Sequence, residues 1–326
     1  MSNGEAPLVG IEDVRAAAGR LAGVAVRTPL IPFGPVAERR YLKAESLQPI
    51  GAFKIRGAYN AVALLSADER ARGVITYSSG NHAQGVARAA RLLGVAAVVV
   101  MPSDAPAIKR DRVAADGAEV VVVGTASDER RTVAEQLAAE RGLAVIPPFD
   151  DDRVIAGHGS AGLEILEDLP DLDVLVIGIG GGGLISGVAA AVKQQRPQVR
   201  IYGIEPEGSD AISQALAAGE PVRIQPRSVA DGLNAPFAGE LTLAMIQRYV
   251  DDVIRIDDAT ILAGLRFAIE RMKQVLEPAG AAALAATLAG HIPIREGERV
   301  AVLLSGGNVD VARLGELVAA AGPLPG

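Results

Sequence analysis

Leu47-Gln48-Pro49-Ile50-Gly51-Ala52-Phe53-Lys54-Ile55-Arg56-Gly57-Ala58 is the stretch whose reading decides the fold. The run before it, Tyr41-Leu42-Lys43-Ala44-Glu45, reads as a strand. Pro49 and Gly51 are turn formers, and a helical run opens at about Phe53. Lys54 therefore falls in the first turn of a helix, whose N-terminus is already partially positive. A cation there gains nothing from the helix dipole, and its proton is easier to lose. Only five of the 32 basic residues are lysine. Among basic side chains, lysine is the one that can shed its proton and condense with an aldehyde.

Working outward, the chain of 326 residues is long enough for two α/β domains with ample core. Its 49% hydrophobic and 22% charged residues are ordinary for a globular protein. A net charge of −7 without basic blocks argues against nucleic acid and anionic membrane surfaces as partners. The absence of cysteine removes disulfides, thiolate metal sites and cysteine nucleophiles together. No signal peptide, long apolar span or fixed-period repeat is visible. A cytoplasmic location is the expectation.

Short apolar strands alternate with helices along most of the chain. Strands are expected at 74–77, 96–101, 119–123 and 144–146, with helices over 81–93, 107–115 and 127–141 between them. Their continuous β-branched runs mark a parallel sheet covered on both faces. The second half continues with strands at 173–177, 200–204, 253–256 and 300–304 and helices over 161–169, 184–194, 259–274 and 281–288. Two doubly wound α/β domains follow: a large one built from 1–72 and 150–326, and a smaller one, 73–149, inserted in it. Ligands of such folds sit at the carboxyl ends of strands.

Three strand ends carry chemistry. Ser78-Ser79-Gly80-Asn81-His82 opens a helix, and hydroxyls with helix-start N–H groups make a pocket for a carboxylate or phosphate. A plain N-cap needs only one of those serines. Gly178-Ile179-Gly180-Gly181-Gly182-Gly183 lets backbone N–H groups approach a phosphate closely. It also matches the dinucleotide fingerprint, with Glu205 placed 22 residues beyond Gly183 where a ribose-binding acid belongs. A nucleotide-dependent oxidoreductase is thus a rival from that segment alone. Ser305-Gly306-Gly307-Asn308 ends the last strand, and Ser305 can serve a cofactor ring edge or simply cap a turn. Glu277, before Pro278, lines a cleft or merely precedes a proline-initiated helix. The three histidines, 82, 158 and 291, lack zinc-site spacing, and no Gly-x-Ser-x-Gly elbow is present.

Together, the Gln48–Ala58 run, Ser78-Ser79-Gly80-Asn81-His82, Gly180 to Gly183 and Ser305-Gly306-Gly307-Asn308 closely resemble the fold-type II pyridoxal-phosphate enzymes, within them the threonine/serine dehydratase and serine racemase group. The dinucleotide reading leaves the Lys54 and Ser305 motifs unexplained. The resemblance implies a lyase that converts a small β-hydroxy amino acid to a 2-oxo acid and ammonia, with serine racemase or hydroxyaspartate dehydratase as alternatives. It implies that Lys54 binds pyridoxal 5'-phosphate covalently and acts as base at Cα. Phe53 would pack on the ring, Asn81 bond its hydroxyl, Gly180, Gly181, Gly182 and Gly183 hold the phosphate, and Ser305 face the pyridine nitrogen. Ser78, Ser79 and His82 would receive the substrate carboxylate, and Ser79 would be the second catalytic group, opposite Lys54. Racemase-like members bind a divalent cation, magnesium or calcium, and Glu205 matches one ligand. A further carboxylate ligand falls at Ala211, with Asp210 one residue away. Ile50 and Ala52 stand where relatives often carry polar residues, and His158 where they usually carry Gln. A homodimer or larger homo-oligomer is expected.

Overall fold

The computed structural model describes residues 8–35, 38–78, 80–105, 107–125 and 127–324, so Ser79 lies outside the described residues. A first helix, α1 (Ile11–Leu21), leads to strands β1 (Leu30–Phe33) and β2 (Arg40–Ala44), then through the Pro49–Gly51 turn into α2 (Lys54–Ala63). Helix α3 (Ala67–Arg72) follows, closed by a capping box in which Ser66 accepts from Glu69 N–H and the Glu69 carboxylate accepts from Ser66 N–H. The next stretch alternates: β3 (Val74–Tyr77), α4 (Asn81–Leu93), β4 (Ala97–Pro102), α5 (Ala107–Ala115), β5 (Glu119–Val123), α6 (Ser127–Arg141) and β6 (Ala144–Val145). The remainder runs α7 (Asp152–Asp168), β7 (Val174–Gly178), α8 (Gly183–Lys193), β8 (Arg200–Pro206), α9 (Ala211–Ala218), α10 (Glu240–Tyr249), β9 (Asp252–Ile256), α11 (Asp258–Met272), α12 (Pro278–Leu288), β10 (Val300–Leu304) and α13 (Val311–Ala320).

Two sheets result. One has the order β5-β4-β3-β6 and is parallel throughout. The other has the order β1-β2-β10-β7-β8-β9 and is parallel except for β1, which pairs antiparallel with β2 in the register Leu30↔Lys43. Its central strands β7 and β10 are buried along their whole length, as unbroken runs such as Val174-Leu175-Val176-Ile177 require. The mixed α/β architecture expected from the alternating pattern is what forms.

Some elements differ from their sequence reading. Helix α7 begins at Asp152 because Asp151 caps it, accepting from the N–H groups of Arg153 and Val154. Its glycines hide the apolar periodicity, and close helix packing is why they are there. A Cβ on Gly157 would lie 2.5 Å from the Arg56 carbonyl of α2, and one on Gly162 would lie 2.9 Å from the Val188 carbonyl of α8. Helices α9 and α10 fill a stretch where the sequence pattern announces no element.

Helix α2 packs between α4 and α7 and shares an apolar cluster with the four-stranded sheet through Ala58, Ala61 and Val62. Its first turn is tied to the six-stranded sheet by buried charge. Arg56, 1% exposed, donates to both carboxylate oxygens of Glu45 at 2.7 and 2.8 Å and to Glu164 at 2.7 and 2.8 Å. Lys43 on β2 reaches Glu164 at 2.6 Å from the other side. The start of α2, and with it Lys54, is thus held against both layers.

Candidate active site

The carboxyl ends of β3, β7 and β10 open on one cavity of about 200 Å³, between the two sheets. Phe53, Lys54, Ser78, Asn81, His82, the glycines 180–183 and Ser305 all line it. Three strand ends far apart in sequence and the start of α2 therefore meet at one place, as the parallel topology dictates.

Lys54 is the first residue of α2, and Phe53, its N-cap, provides no side-chain cap. The Lys54 Nζ donates to the Pro148 carbonyl at 2.6 Å and sits 5.0 Å over the Phe53 ring. Its pKa is lowered to about 7, and burial is the cause. The expectation of an easily lost proton therefore holds for a different reason from the one its helix position suggested: desolvation, rather than the helix dipole, pulls the value down. Near neutrality a large share of this amine is unprotonated and nucleophilic.

The glycine loop is shaped by its neighbours. Gly182 caps α8 with φ +89°, a left-handed conformation that disfavours other residues. A Cβ on Gly181 would lie 2.2 Å from the Phe149 ring, and one on Gly180 would lie 3.1 Å from Leu233 Cα. The first helical bond of α8 runs from Ser186 N–H to Gly182 O. Among the described residues, none of the N–H groups of Gly180 to Gly183 has an acceptor. A row of unpaired backbone donors at a helix N-terminus is a receptor for a phosphate.

Helix α4 supplies a second such end. Its first bond runs from Gln84 N–H to Gly80 O, which leaves the N–H groups of Asn81, His82 and Ala83 without intrahelical acceptors. Ser78 Oγ accepts from Gly80 N–H at 3.2 Å and keeps its own proton to donate. The His82 imidazole is turned away from this role. Its Nε2 lies 3.0 Å from the Ile146 carbonyl, and burial, then the Lys54 charge, push its pKa down to about 3. A neutral ring donating to a carbonyl leaves only an acceptor at Nδ1. What His82 offers the cavity at the start of α4 is therefore its backbone N–H.

Asn81 Nδ2 donates to Glu277 at 2.6 Å, and Ser305 Oγ lies 3.4 Å from the Ala279 carbonyl. Glu277 is 3% exposed and lines the cavity, so the cleft reading of this residue is the right one. Burial, then the charge of Asp231, raise its pKa to about 7, against the Asn81 hydrogen bond and Lys109. Tyr77, Phe149, Asp231, Lys109 and Arg130 also face the cavity and were not singled out by sequence. Tyr77 ends strand β3, and the others lie on loops and helices whose local pattern has no motif. The signal for Glu277 is a carboxylate directly before Pro278 and the apolar run that becomes α12.

Glu205 is a different case. Its carboxylate accepts from Ile212 N–H and Ser213 N–H at 2.9 Å and from Ser213 Oγ at 2.7 Å, which makes it the anchor of the α9 N-terminus. Asp210 is bound to Gln214 at 2.7 Å and Arg255 at 3.1 Å. The described residues contain no group of three or more His, Asp or Glu side chains able to hold a metal. The residues present do not fit the divalent cation that Glu205 suggested, because its oxygens are satisfied by helix donors and position 211 is alanine.

A desolvated amine and a row of unpaired backbone donors in one cavity match the two ends, aldehyde and anion, of a phosphorylated aldehyde cofactor. The model of the family "pyridoxal-phosphate dependent enzyme" matches residues 22–306, and the chain belongs to this family. It is 40% identical over 316 residues to an L-threonine ammonia-lyase of Thermotoga maritima, covering 95% of this chain and 78% of that protein. It is 41% identical over 311 residues to an L-threo-3-hydroxyaspartate ammonia-lyase of Saccharomyces cerevisiae, covering 94% and 95%. The structure of maize serine racemase superposes with a TM-score of 0.91 at 37% identity, covering 95% and 97%. No helix among the described residues is long and apolar enough to cross a membrane.

Proposed function

We propose that the protein is a pyridoxal-phosphate-dependent ammonia-lyase that converts a β-hydroxy-L-amino acid, threonine or serine, to a 2-oxo acid and ammonia by α,β-elimination. The observation that carries this is Lys54, a buried amine with its pKa near 7, facing two rows of backbone donors across one cavity. Similarity to ammonia-lyases over nearly the whole chain supports the reaction class.

When bound, pyridoxal phosphate supplies an electron sink for the negative charge left at Cα. The chain's own residues do the rest. Lys54, unprotonated at neutral pH, is the attachment point and then the base that takes the Cα proton. The N–H groups of Gly180 to Gly183 hold the phosphate. The N–H groups of Asn81, His82 and Ala83, with the Ser78 hydroxyl, hold the substrate carboxylate and orient Cα toward Lys54. Asn81 is assigned to the ring hydroxyl and Phe53 to the ring face. Ser305 is assigned to the pyridine nitrogen; a neutral hydroxyl does not hold that nitrogen protonated, which favours loss of a β-hydroxyl over transamination. The low pKa of His82 keeps a second positive charge away from Lys54.

The test is release of ammonia and 2-oxo acid from L-threonine and L-serine by the purified holoenzyme. Lys54→Ala is expected to abolish both the release and the visible absorbance of the bound cofactor. Undiminished release in that variant would overturn the assignment. Racemisation of serine is the second reading, supported by a serine at position 79 and by the likeness to maize serine racemase. D-serine formed faster than pyruvate would put it first.

A further inference from the structure

Phe53 precedes Lys54 and lines the cavity, and its backbone is already fixed, since its N–H donates to the Ser305 carbonyl at 3.1 Å. Only the direction of its ring is left to set. His158, on α7, meets that ring with the two centroids 4.7 Å apart and the planes at 65°. The imidazole is fully buried, and among the described residues neither of its nitrogens has a hydrogen-bond partner. The Gly183 backbone, at the start of α8, acts on the ring without completing a bond. Burial, then the Lys54 charge, hold its pKa well below 6.5, so the ring is neutral.

A buried imidazole with two unpaired nitrogens carries a desolvation cost that leucine at the same place would not. Core filling alone therefore does not account for it. The room made for the ring points the same way. Phe53 and Gly57 lie one turn apart on the same face of α2. A Cβ on Gly57 would stand 2.5 Å from His158 Nε2, so only glycine at position 57 leaves the imidazole where it is, beside Phe53. What the imidazole gains there is an edge-to-face contact, which has a direction that an aliphatic side chain does not impose.

We propose that His158 is a positioning residue: its neutral ring fixes the plane of the Phe53 ring, and through it the setting of the Lys54 amine and of the cofactor ring that Phe53 is assigned to face. The Lys54 Nζ sits 5.0 Å from the Phe53 centroid, so a ring free to turn would open the amine to water. The cofactor half of this inference rests on the roles given above to Phe53 and Lys54; the Lys54 half does not. His158 acts through Phe53 and has no part in proton transfer.

The experiment compares wild type with His158→Gln, His158→Leu, Phe53→Leu and the double variant His158→Leu/Phe53→Leu. It reads the visible circular dichroism of the bound cofactor against its absorbance. It also reads the pH dependence of Lys54 acetylation by acetic anhydride in the cofactor-free full chain, followed by mass spectrometry. Both His158 variants are expected to lose dichroism while keeping the absorbance, because the cofactor's surroundings are no longer held in one arrangement. In both, the midpoint of Lys54 labelling should rise by about one pH unit from its value near 7, a tenfold change, as water reaches the amine. Phe53→Leu should do the same, and the double variant should go no further than Phe53→Leu alone, since both residues act through one contact. A lower melting temperature with dichroism and midpoint unchanged would reduce His158 to a core residue and overturn the proposal. Fully additive shifts in the double variant would overturn it as well. Should His158→Gln not fold, His158→Leu, which brings no polar atom into the core, supplies both readings. If the wild type takes up no pyridoxal phosphate, the cofactor reading fails by itself. The labelling midpoints then decide: a rise in the His158 variants that Phe53→Leu already contains carries the inference, and equal midpoints end it.

Discussion

Glu277 and Asn81 are locked to each other across the cavity: Asn81 Nδ2 donates to Glu277 Oε1 at 2.6 Å, while Asn81 Oδ1 accepts from Asn308 Nδ2 at 2.8 Å. Both ends of one amide are therefore held by the protein. Asn308 donates through the same Nδ2 to the Ile50 carbonyl at 2.7 Å and accepts from Arg112 of α5 at 2.8 Å. A polar chain thus runs from α5 to the residue assigned to the cofactor's ring hydroxyl, and it ends on a carboxyl that titrates near pH 7.

Glu277 should accordingly put a limb into the pH profile. Its pKa is raised by burial and by Asp231. The folded state keeps the proton longer than the unfolded chain, so the stability it contributes is complete below the ordinary value of 4.5 and lost as pH rises toward about 7. Glu277→Gln keeps an acceptor for Asn81 and removes the titration, so the fall in melting temperature over that window should shrink. Asp231→Asn removes the raising charge and frees Lys109, which moves the Glu277 limb to lower pH. Melting curves and pH–rate profiles of the three proteins decide this; identical profiles would show that Glu277 does not titrate there.

The glycine loop yields a steric prediction. A Cβ on Gly181 meets the Phe149 ring at 2.2 Å, and that ring is itself packed 5.3 Å from Phe237, centroid to centroid. Gly181→Ala should push the loop off its position and weaken cofactor binding by roughly tenfold or more, because misaligned backbone donors lose hydrogen bonds to a charged group. Phe149→Leu added to Gly181→Ala should recover part of the loss. Cofactor titration by absorbance measures both. Equal affinities for wild type and Gly181→Ala would show that the loop does not hold the phosphate.

How much of this was legible in the sequence depends on the range of the interaction that fixes each feature. The strands of the four-stranded sheet and the three strand-end motifs were legible because each is set by local pattern: a β-branched run, then glycine or serine, then a helix start. Lys54 stood out by scarcity and position. Arg130 and Lys109 were invisible, because a charged residue on an amphipathic helix reads as solvated until the tertiary fold turns it toward a cavity. Glu205 was misread for the complementary reason. An acid at the end of a β-strand looks like a ligand-binding group, yet the next helix spends its oxygens on Ile212 and Ser213. Helix α9 itself lacks a readable start, since its N-terminus is satisfied by Glu205 rather than by an adjacent N-cap.

The anchor beneath Lys54 is the Arg56–Glu45 pair. Burial alone would raise Glu45, but the charge and hydrogen bonds of Arg56, with the Thr28 hydroxyl, hold its carboxyl below the usual 4.5. Its stabilisation is therefore present above that value and lost as pH falls through the depressed one. Arg56→Ala would strand a fully buried carboxylate, at a cost of about 3–5 kcal/mol. Arg56→Lys keeps the charge but not the fork that serves Glu45 and Glu164 together, and should cost less. Urea unfolding of the holoenzyme measures both, and a change below about 1 kcal/mol in Arg56→Ala would show the pair to be dispensable.

The lowered pKa of Lys54 has a kinetic consequence that separates burial from chance proximity. Only the neutral amine can attach an aldehyde. With its value near 7, the rate at which the cofactor-free protein takes up pyridoxal phosphate should rise with pH to a midpoint near 7, where an ordinary lysine would rise toward 10.5. The sign follows from desolvation: burial disfavours the ammonium, so the proton leaves at lower pH. Lys54 also pushes His82 down through its charge, so replacing Lys54 with Met should raise the His82 pKa from about 3, an effect visible in the imidazole resonances. Stopped-flow absorbance across pH 5 to 10 measures the uptake. A midpoint above about 9 would mean that the Lys54 amine is hydrated in solution, and the desolvated anchor at the start of α2 would have to be abandoned.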